Sequence, residues 1–171
     1  CKTIEFSIAT TSQMYDIRQQ HWATPMLAQL NVPDDILPAV VSPGTIVGQL
    51  PLALRDETDL RQSVNVVTPA SHDTSSAIAA IPGLDDHSVF ISSGTWSLMG
   101  VEISEPILTD AVLAHNFTNE GGVGNTIRML KNVTGLFLVQ ECRGQWQRAG
   151  DDYSWADLMA QAEKAEPFRS L

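Results

Sequence analysis

Asp73 stands in the run Ser71-His72-Asp73-Thr74, where a pattern of small residues turns helical. A carboxylate in the first turn of a helix is stabilised by a few tenths to about 1 kcal/mol and stays ionised. Held in place, it can take the proton of an attacking hydroxyl, a step worth roughly 10²–10⁴-fold in rate. The same placement is ordinary for an N-cap aspartate, so spacing alone admits both readings. His72 could orient a substrate hydroxyl or be a plain loop histidine. Further on, Ser93-Gly94-Thr95 gathers backbone amides and two hydroxyls in one turn. That is the chemistry of a small anion nest and equally the composition of a hairpin turn. An oriented carboxylate and a phosphate-holding turn are two parts that phosphoryl transfer uses.

The elements that must position these residues read as mixed α/β. Residues 3–14 are β-branched and roughly alternating, which predicts an extended segment. Ile17, Trp22, Met26, Leu27 and Leu30 are spaced for an amphipathic helix from Asp16 to Leu30, interrupted at Pro25. Pro33, Pro38 and Pro43-Gly44 punctuate a loop region. Thr45–Gly48 reads as a short strand, 55–63 as an exposed turn, and Val64–Val67 as a buried strand. Thr74–Ile81 reads as a helix stopped by Pro82-Gly83. Two hairpin strands are expected at 88–91 and 95–102, then a glycine-rich loop at Asn119–Gly122. A long helix is predicted over 126–146, with Gly135 inside it at a cost of about 1 kcal/mol, the mark of a close packing contact. An acidic helix over 151–165 ends the series. A domain junction is expected near residues 68–72.

Bulk properties narrow the function. The 171 residues include 20 acidic and 10 basic side chains, a net charge of −10. Such a field repels nucleic-acid backbones, although local amides and Mg²⁺ can still hold one nucleotide. Two cysteines are too few for a disulfide scaffold, and a reducing cytoplasm is the expected setting. No apolar run approaches the roughly 20 residues of a membrane helix. His21, His72, His87 and His115 are scattered without metal-ligand spacing, so no protein metal site is expected. Asp85-Asp86-His87 reads as a solvated turn, and Trp22, Trp96, Trp146 and Trp155 as packing residues. The G-x-x-x-x-G-K-[ST], G-x-G-x-x-G and G-x-S-x-G patterns are absent. Gly94-Thr-Trp-Ser97 has the wrong spacing for a nucleophile elbow, which disfavours a hydrolase built on Ser97, His72 and Asp73. The chain opens on Cys1 rather than Met and is expected to be cut from something longer.

Several stretches together resemble rhamnulokinases, within the FGGY carbohydrate kinases. They are Ser71-His-Asp-Thr-Ser-Ser-Ala, Ser92-Ser-Gly-Thr-Trp-Ser-Leu-Met-Gly-Val-Glu, Thr118-Asn-Glu-Gly-Gly and Leu130-Lys-Asn-Val-Thr-Gly-Leu-Phe-Leu-Val-Gln-Glu. Upstream, Ala9-Thr-Thr-Ser-Gln-Met, Asn31-Val-Pro, Ile36-Leu-Pro and Val41-Ser-Pro-Gly-Thr-Ile-Val-Gly agree. The likeness runs from about residue 4 to 147, with the motifs in order. It implies an α/β fold of RNase H-like, actin/hexokinase-type ATPase domains. Residues 1–69 would close the N-terminal sugar-binding domain and 70–171 would open the C-terminal ATP-binding domain. It implies transfer of phosphate from ATP, with Mg²⁺, to the 1-hydroxyl of L-rhamnulose. Asp73 would be the general base, with His72, Thr74 and Asn132 at the sugar. Thr95 and Gln140, with Ser93 and Gly94, would face ATP. An upstream phosphate-binding strand-turn-strand and a downstream adenosine-binding motif are expected outside these residues, so the piece alone should be inactive. A kinase for another ketose, or a non-catalytic sugar- or nucleotide-binding module of the same fold, are the alternatives. A binding module has no need of a base at Asp73.

Overall fold

A buried glutamate sets the first turn of structure. The computed structural model describes residues 2–85, 87–167 and 169; Cys1 and Asp86, both used in the sequence reading, lie outside them. Strand β1 (Thr3–Glu5) runs directly into helix α1 (Phe6–Thr11). Glu5 is only 3% exposed, and its carboxylate accepts from the Ser7 N–H at 2.7 Å and the Ser7 hydroxyl at 2.6 Å. This cap satisfies an orphan amide of the helix start. It overrides the β-like composition, so the extended segment expected over 3–14 stops at Glu5.

The helix expected from Asp16 to Leu30 is also replaced. Strands β2 (Tyr15–Asp16) and β3 (His21–Trp22) form a small antiparallel hairpin, and only Thr24–Gln29 is helical, as α2. The Asp16 carboxylate accepts from the Arg18 and Gln19 N–H groups, and Gln20 takes φ 54°. An aspartate that closes its own turn competes with a helix. Pro25 falls in the first turn of α2, where a missing N–H leaves no bond unmade. The proline-rich stretch contains a 3₁₀ turn (Asp34–Ile36) and strand β4 (Ala39–Val41), which pairs in parallel with β1, Glu5 opposite Val41.

Strand β5 (Ile46–Gln49) pairs antiparallel with β6 (Asn65–Val67), close to the two strands read from sequence. All three β6 residues are exposed, against the buried strand expected there. Helix α3 (Leu52–Glu57) occupies the start of the supposed polar turn, opening after Pro51.

Helix α4 (Asp73–Ala79) follows, as expected. A four-stranded sheet comes next, with β7 (Phe90–Ser93) beside β8 (Trp96–Ile103). Helix α5 (Asp110–Ala114) leads to β9 (Phe117–Gly121) and β10 (Ile127–Thr134), in spatial order β7-β8-β10-β9. The expected glycine-rich loop at 119–122 is thus mostly strand, and the first third of the expected long helix is strand β10. Ile127, Leu130 and Val133 are spaced for either state. Antiparallel pairing with β9, Arg128 opposite Glu120 and Lys131 opposite Phe117, decides for the strand.

Two compact units result: Cys1–Ser92 with Leu98–Asn132, and Ser93–Ser97 with Val133–Leu171. In the first, Ile78 of α4 packs with Phe90 and Leu130, each at most 4% exposed, and with Leu84 and Leu98. Burial of side chains of this size contributes about 1.5–3 kcal/mol each. That contact holds α4, and so Asp73 at its start, against the sheet.

The second unit carries α6 (Phe137–Ala149) and α7 (Trp155–Lys164). Gly150 ends α6 at φ 100°, a left-handed cap suited to glycine. Ser154 and Asp157 form a reciprocal capping box at the start of α7. Trp96 stacks parallel to Phe137, and Trp146 packs edge-on against Tyr153.

Candidate functional site

Asp73 is the first residue of α4; the N-cap position falls to His72, whose side chain makes no cap bond. The Asp73 side chain is 96% exposed. Its Oδ1 accepts from the Thr74 N–H at 2.6 Å and the Thr74 hydroxyl at 3.3 Å, while Oδ2 accepts no bond among the described residues. The aspartate therefore lies in the helix with one oxygen fixed and the other open, rather than closing the helix as an N-cap. Thr74 itself is buried.

The loop before α4 is pinned by buried polar groups that sequence reasoning missed. Glu5 Oε2 accepts from the Ser71 N–H at 2.8 Å, and the Ser7 hydroxyl accepts from the His72 N–H at 3.1 Å. Thr10 accepts the Gly121 N–H at 2.8 Å. Carboxylate–amide bonds of this kind are among the stronger hydrogen bonds in proteins. The signal for Glu5 was the pair Glu5-Phe6-Ser7, an acceptor two residues ahead of a hydroxyl. Inside a run of β-branched residues it reads as strand.

Behind His72 lies an ion pair. Arg128 is fully buried at 0% exposure. Its Nε donates to the Gly121 carbonyl at 3.0 Å, and its Nη2 to Glu120 Oε2 at 3.2 Å and His72 Nδ1 at 3.0 Å. Its Nη1 is buried with no partner among the described residues. Desolvation holds the guanidinium below its ordinary value, while the carboxylates of Glu120, Glu102, Glu5 and Asp73 pull the other way; it remains charged at neutral pH. Burial raises the Glu120 carboxyl, but the contact with His72 and the charge of Arg128 outweigh it. Glu120 ends below its ordinary value of 4.5.

A pH dependence of stability follows from that lowering. A carboxyl lowered by folding contributes stability above its unfolded value and loses it as pH falls through the folded one. Urea midpoints are expected to fall as pH drops below 4.5, and Glu120→Gln is expected to flatten the curve in that window. An equally steep acid limb in the variant would show that Glu120 does not carry the effect.

The other residues implied by the resemblance fall into two groups. Asn132 is exposed, near the end of β10. In the second unit, Thr95 is exposed and its hydroxyl accepts from Gln140 Nε2 at 3.4 Å. Ser93 and Ser97 share a hydroxyl–hydroxyl bond at 3.2 Å. The Gly94 N–H donates to the Trp96 carbonyl, and the Gly94 and Thr95 carbonyls accept from the Leu136 and Phe137 N–H groups at the start of α6. The turn therefore offers hydroxyls outward, while the Gly94 amide is spent on the hairpin. Gly135 is a tight contact, as expected, though between β10 and α6 rather than inside a helix. A Cβ there would lie 2.4 Å from the Gly94 carbonyl oxygen and 2.8 Å from that of Thr95. Among the described residues no three His, Cys, Asp or Glu side chains converge to hold a metal. No helix among them is long and apolar enough to cross a membrane.

Comparison with known proteins adds the lineage. Residues 1–80 match the N-terminal domain of the FGGY family of carbohydrate kinases, and residues 89–171 its C-terminal domain. The chain is 41% identical over 167 residues to a rhamnulokinase of Bacteroides thetaiotaomicron and 40% identical over 168 to one of Enterococcus faecalis. Each alignment covers 98% of the chain. The chain spans about a third (33%) of the length of these curated relatives. Its fold matches a ligand-bound xylulose kinase from Lactobacillus acidophilus at TM-score 0.73 and 14% identity, covering 96% of the chain and 32% of that structure. A gluconate kinase from the same organism matches at 0.71 and 12%, with the same coverage. The α/β architecture is thus the sugar-kinase form of the actin/hexokinase-type fold, with parts of both domains present. With both halves matched in order and the relatives aligned along almost all of it, the chain belongs to the FGGY family of carbohydrate kinases.

Proposed function

We propose that this chain is part of an ATP-dependent kinase that phosphorylates the 1-hydroxyl of L-rhamnulose, with Asp73 as general base. The observation that carries it is Asp73 itself, exposed at the first turn of α4 with Oδ2 free of bonds from the described residues. It lies in a chain about 40% identical to curated rhamnulokinases. The loop before α4 is fixed by Glu5 and Ser7, so the carboxylate is oriented before substrate arrives. Orientation of this kind is the larger part of what phosphoryl transfer asks of a protein.

In this reading the sugar hydroxyl gives its proton to Asp73 while its oxygen attacks the γ-phosphorus, and ADP leaves. His72, Thr74 and Asn132 bind the sugar. Thr95 and Gln140, with Ser93 and Gly94, contact ATP: the exposed Thr95 hydroxyl and the second N–H of the Gln140 amide are donors suited to phosphate oxygens. Mg²⁺ would arrive on the phosphates of ATP, the usual way it is bound. We assign residues 1–69 to the sugar-binding domain and 70–171 to the ATP-binding domain: the packing of Ile78 on Phe90 and Leu130 favours this boundary, whereas the match to the N-terminal family domain runs on to residue 80. With ATP as the phosphoryl donor, we assign the enzyme to the cytoplasm.

A coupled ADP-release assay of the polypeptide that carries this chain, run on a panel of ketoses, tests the substrate. L-rhamnulose is expected to give the highest kcat/KM. Preference for another ketose would move the assignment within the family, and no sugar-dependent ADP release with any of them would end it.

A further inference from the structure

We propose that Arg128 is a positioning residue for Asp73 that acts through His72: its guanidinium fixes the imidazole as the Nε2–H tautomer and turns that N–H toward the Asp73 carboxylate. The role rests on the reading of Asp73 as the base; the tautomer does not.

The shorter of the two contacts at Nδ1 selects the arrangement. A guanidinium has five N–H donors and no acceptor, and Arg128 Nη2 lies 3.0 Å from His72 Nδ1. Nδ1 must therefore present its lone pair, and the neutral ring carries its proton on Nε2. Nε2 lies 3.7 Å from Asp73 Oδ1, so the N–H faces the carboxylate from just outside hydrogen-bond range. Glu120 is the competitor, with Oε2 at 3.3 Å from Nδ1. A ring with a proton on Nδ1 donates it there, the bond that helps hold the Glu120 carboxyl down, but in the neutral ring that N–H would meet the N–H of the nearer Arg128. Glu120 is already supplied by the same Nη2 at 3.2 Å. The charged groups around the ring are thus Asp73 on α4, Glu120 on β9 and Arg128 on β10.

Arg128 is well placed to enforce this. Its position in β10 is set directly opposite Glu120 in the strand register. Its Nε is tied to the Gly121 carbonyl, and it has no exposed surface, so the fork cannot swing away. The consequence reaches the base. Oδ1 of Asp73 faces the Thr74 N–H, the Thr74 hydroxyl and the Nε2–H side of His72. Oδ2 is left as the oxygen that receives the sugar hydroxyl proton as the new O–P bond forms and ADP departs.

The direct test is ¹⁵N NMR of the histidine-labelled polypeptide that carries this chain, at mildly alkaline pH, with His72 identified by its loss in His72→Gln. The expected spectrum shows Nδ1 as the unprotonated, pyridine-type nitrogen and Nε2 as the protonated, pyrrole-type one. The reverse pattern overturns the proposal, whatever the enzyme's activity. Kinetics test the role. Arg128→Met, if folded, is expected to lose about 10²-fold in kcat, the order of a displaced catalytic group. Its sugar KM should stay within a few-fold, and the tautomer should change. Arg128→Lys, which keeps a donor and the charge, is expected to recover the tautomer and part of the rate. Unchanged kcat in folded Arg128→Met, or a lysine variant that restores the tautomer and no activity, overturns the positioning role. If Arg128→Met does not fold, the wild-type and lysine spectra with the lysine kcat decide. Normal turnover in Asp73→Asn with the expected His72 spectrum would overturn the base and the role built on it, and would leave the tautomer standing.

Discussion

Asp73→Asn, made in the polypeptide that carries this chain, is expected to lower sugar-dependent turnover by about 10²–10⁴-fold, the usual worth of a positioned general base. The substitution is nearly isosteric. An asparagine Oδ1 can still accept from the Thr74 N–H, the bond that holds the aspartate at 2.6 Å. What disappears is the charge at the helix start, worth about 0.3–1 kcal/mol, and the capacity to take a proton. Stability should therefore fall only slightly, and sugar KM should change far less than kcat. Steady-state ADP release beside a thermal melt separates the effects. A variant that melts normally and turns over normally would show that Asp73 is a helix-end residue and nothing more.

Gly135→Ala is expected to be the most damaging methyl group that can be added near the proposed ATP turn. Its Cβ would stand 2.4 Å from the Gly94 carbonyl oxygen and 2.8 Å from both the Thr95 carbonyl oxygen and the Ser97 hydroxyl. Two of these atoms are backbone and cannot rotate away. The same two carbonyls accept from the first amides of α6, so moving them disturbs the join between turn and helix. A cost near the upper end of the roughly 1–3 kcal/mol typical of overpacking is expected, together with a raised KM for ATP. Gly94→Ala is the control within the same turn. Its Cβ would meet the Trp96 carbonyl oxygen at 3.4 Å, an ordinary contact, and its stability cost should be below about 1 kcal/mol. Urea denaturation of both variants checks the contrast. Equal losses would mean that the close approach at Gly135 does not constrain the turn.

Local chemistry carried part of the fold into the sequence. Helix α4 was legible because small helix-tolerant residues run from Asp73 into a Pro82-Gly83 stop. The β7–β8 hairpin was legible because β-branched and aromatic residues flank a Ser-Gly pair. Both signals are complete within a few residues. The errors fell where a partner remote in sequence decides. Residues 127–134 have apolar spacing that fits helix or strand, and pairing with β9 settles it. Residues 6–11 look like a strand until the buried Glu5 carboxylate caps them. The turn at Asp16 breaks an otherwise helical periodicity through two side-chain bonds.

The candidate site divides along the same line. Several motifs in order were enough to read the family, and with it an expected place for Asp73, His72 and the Ser93–Thr95 turn. Those motifs are contiguous, and so is the chemistry they advertise. Folding brings together what surrounds the carboxylate: Glu5 and Ser7 on the loop before α4, Glu120 and Arg128 behind His72. These residues stand 56 to 66 positions from their partners at Ser71 and His72, except Glu120, which is nearer in sequence. Nothing in a linear pattern marks Arg128 as buried. An arginine is withdrawn from water only when carboxylates from other elements compensate its charge, and that compensation exists only once the strands have paired.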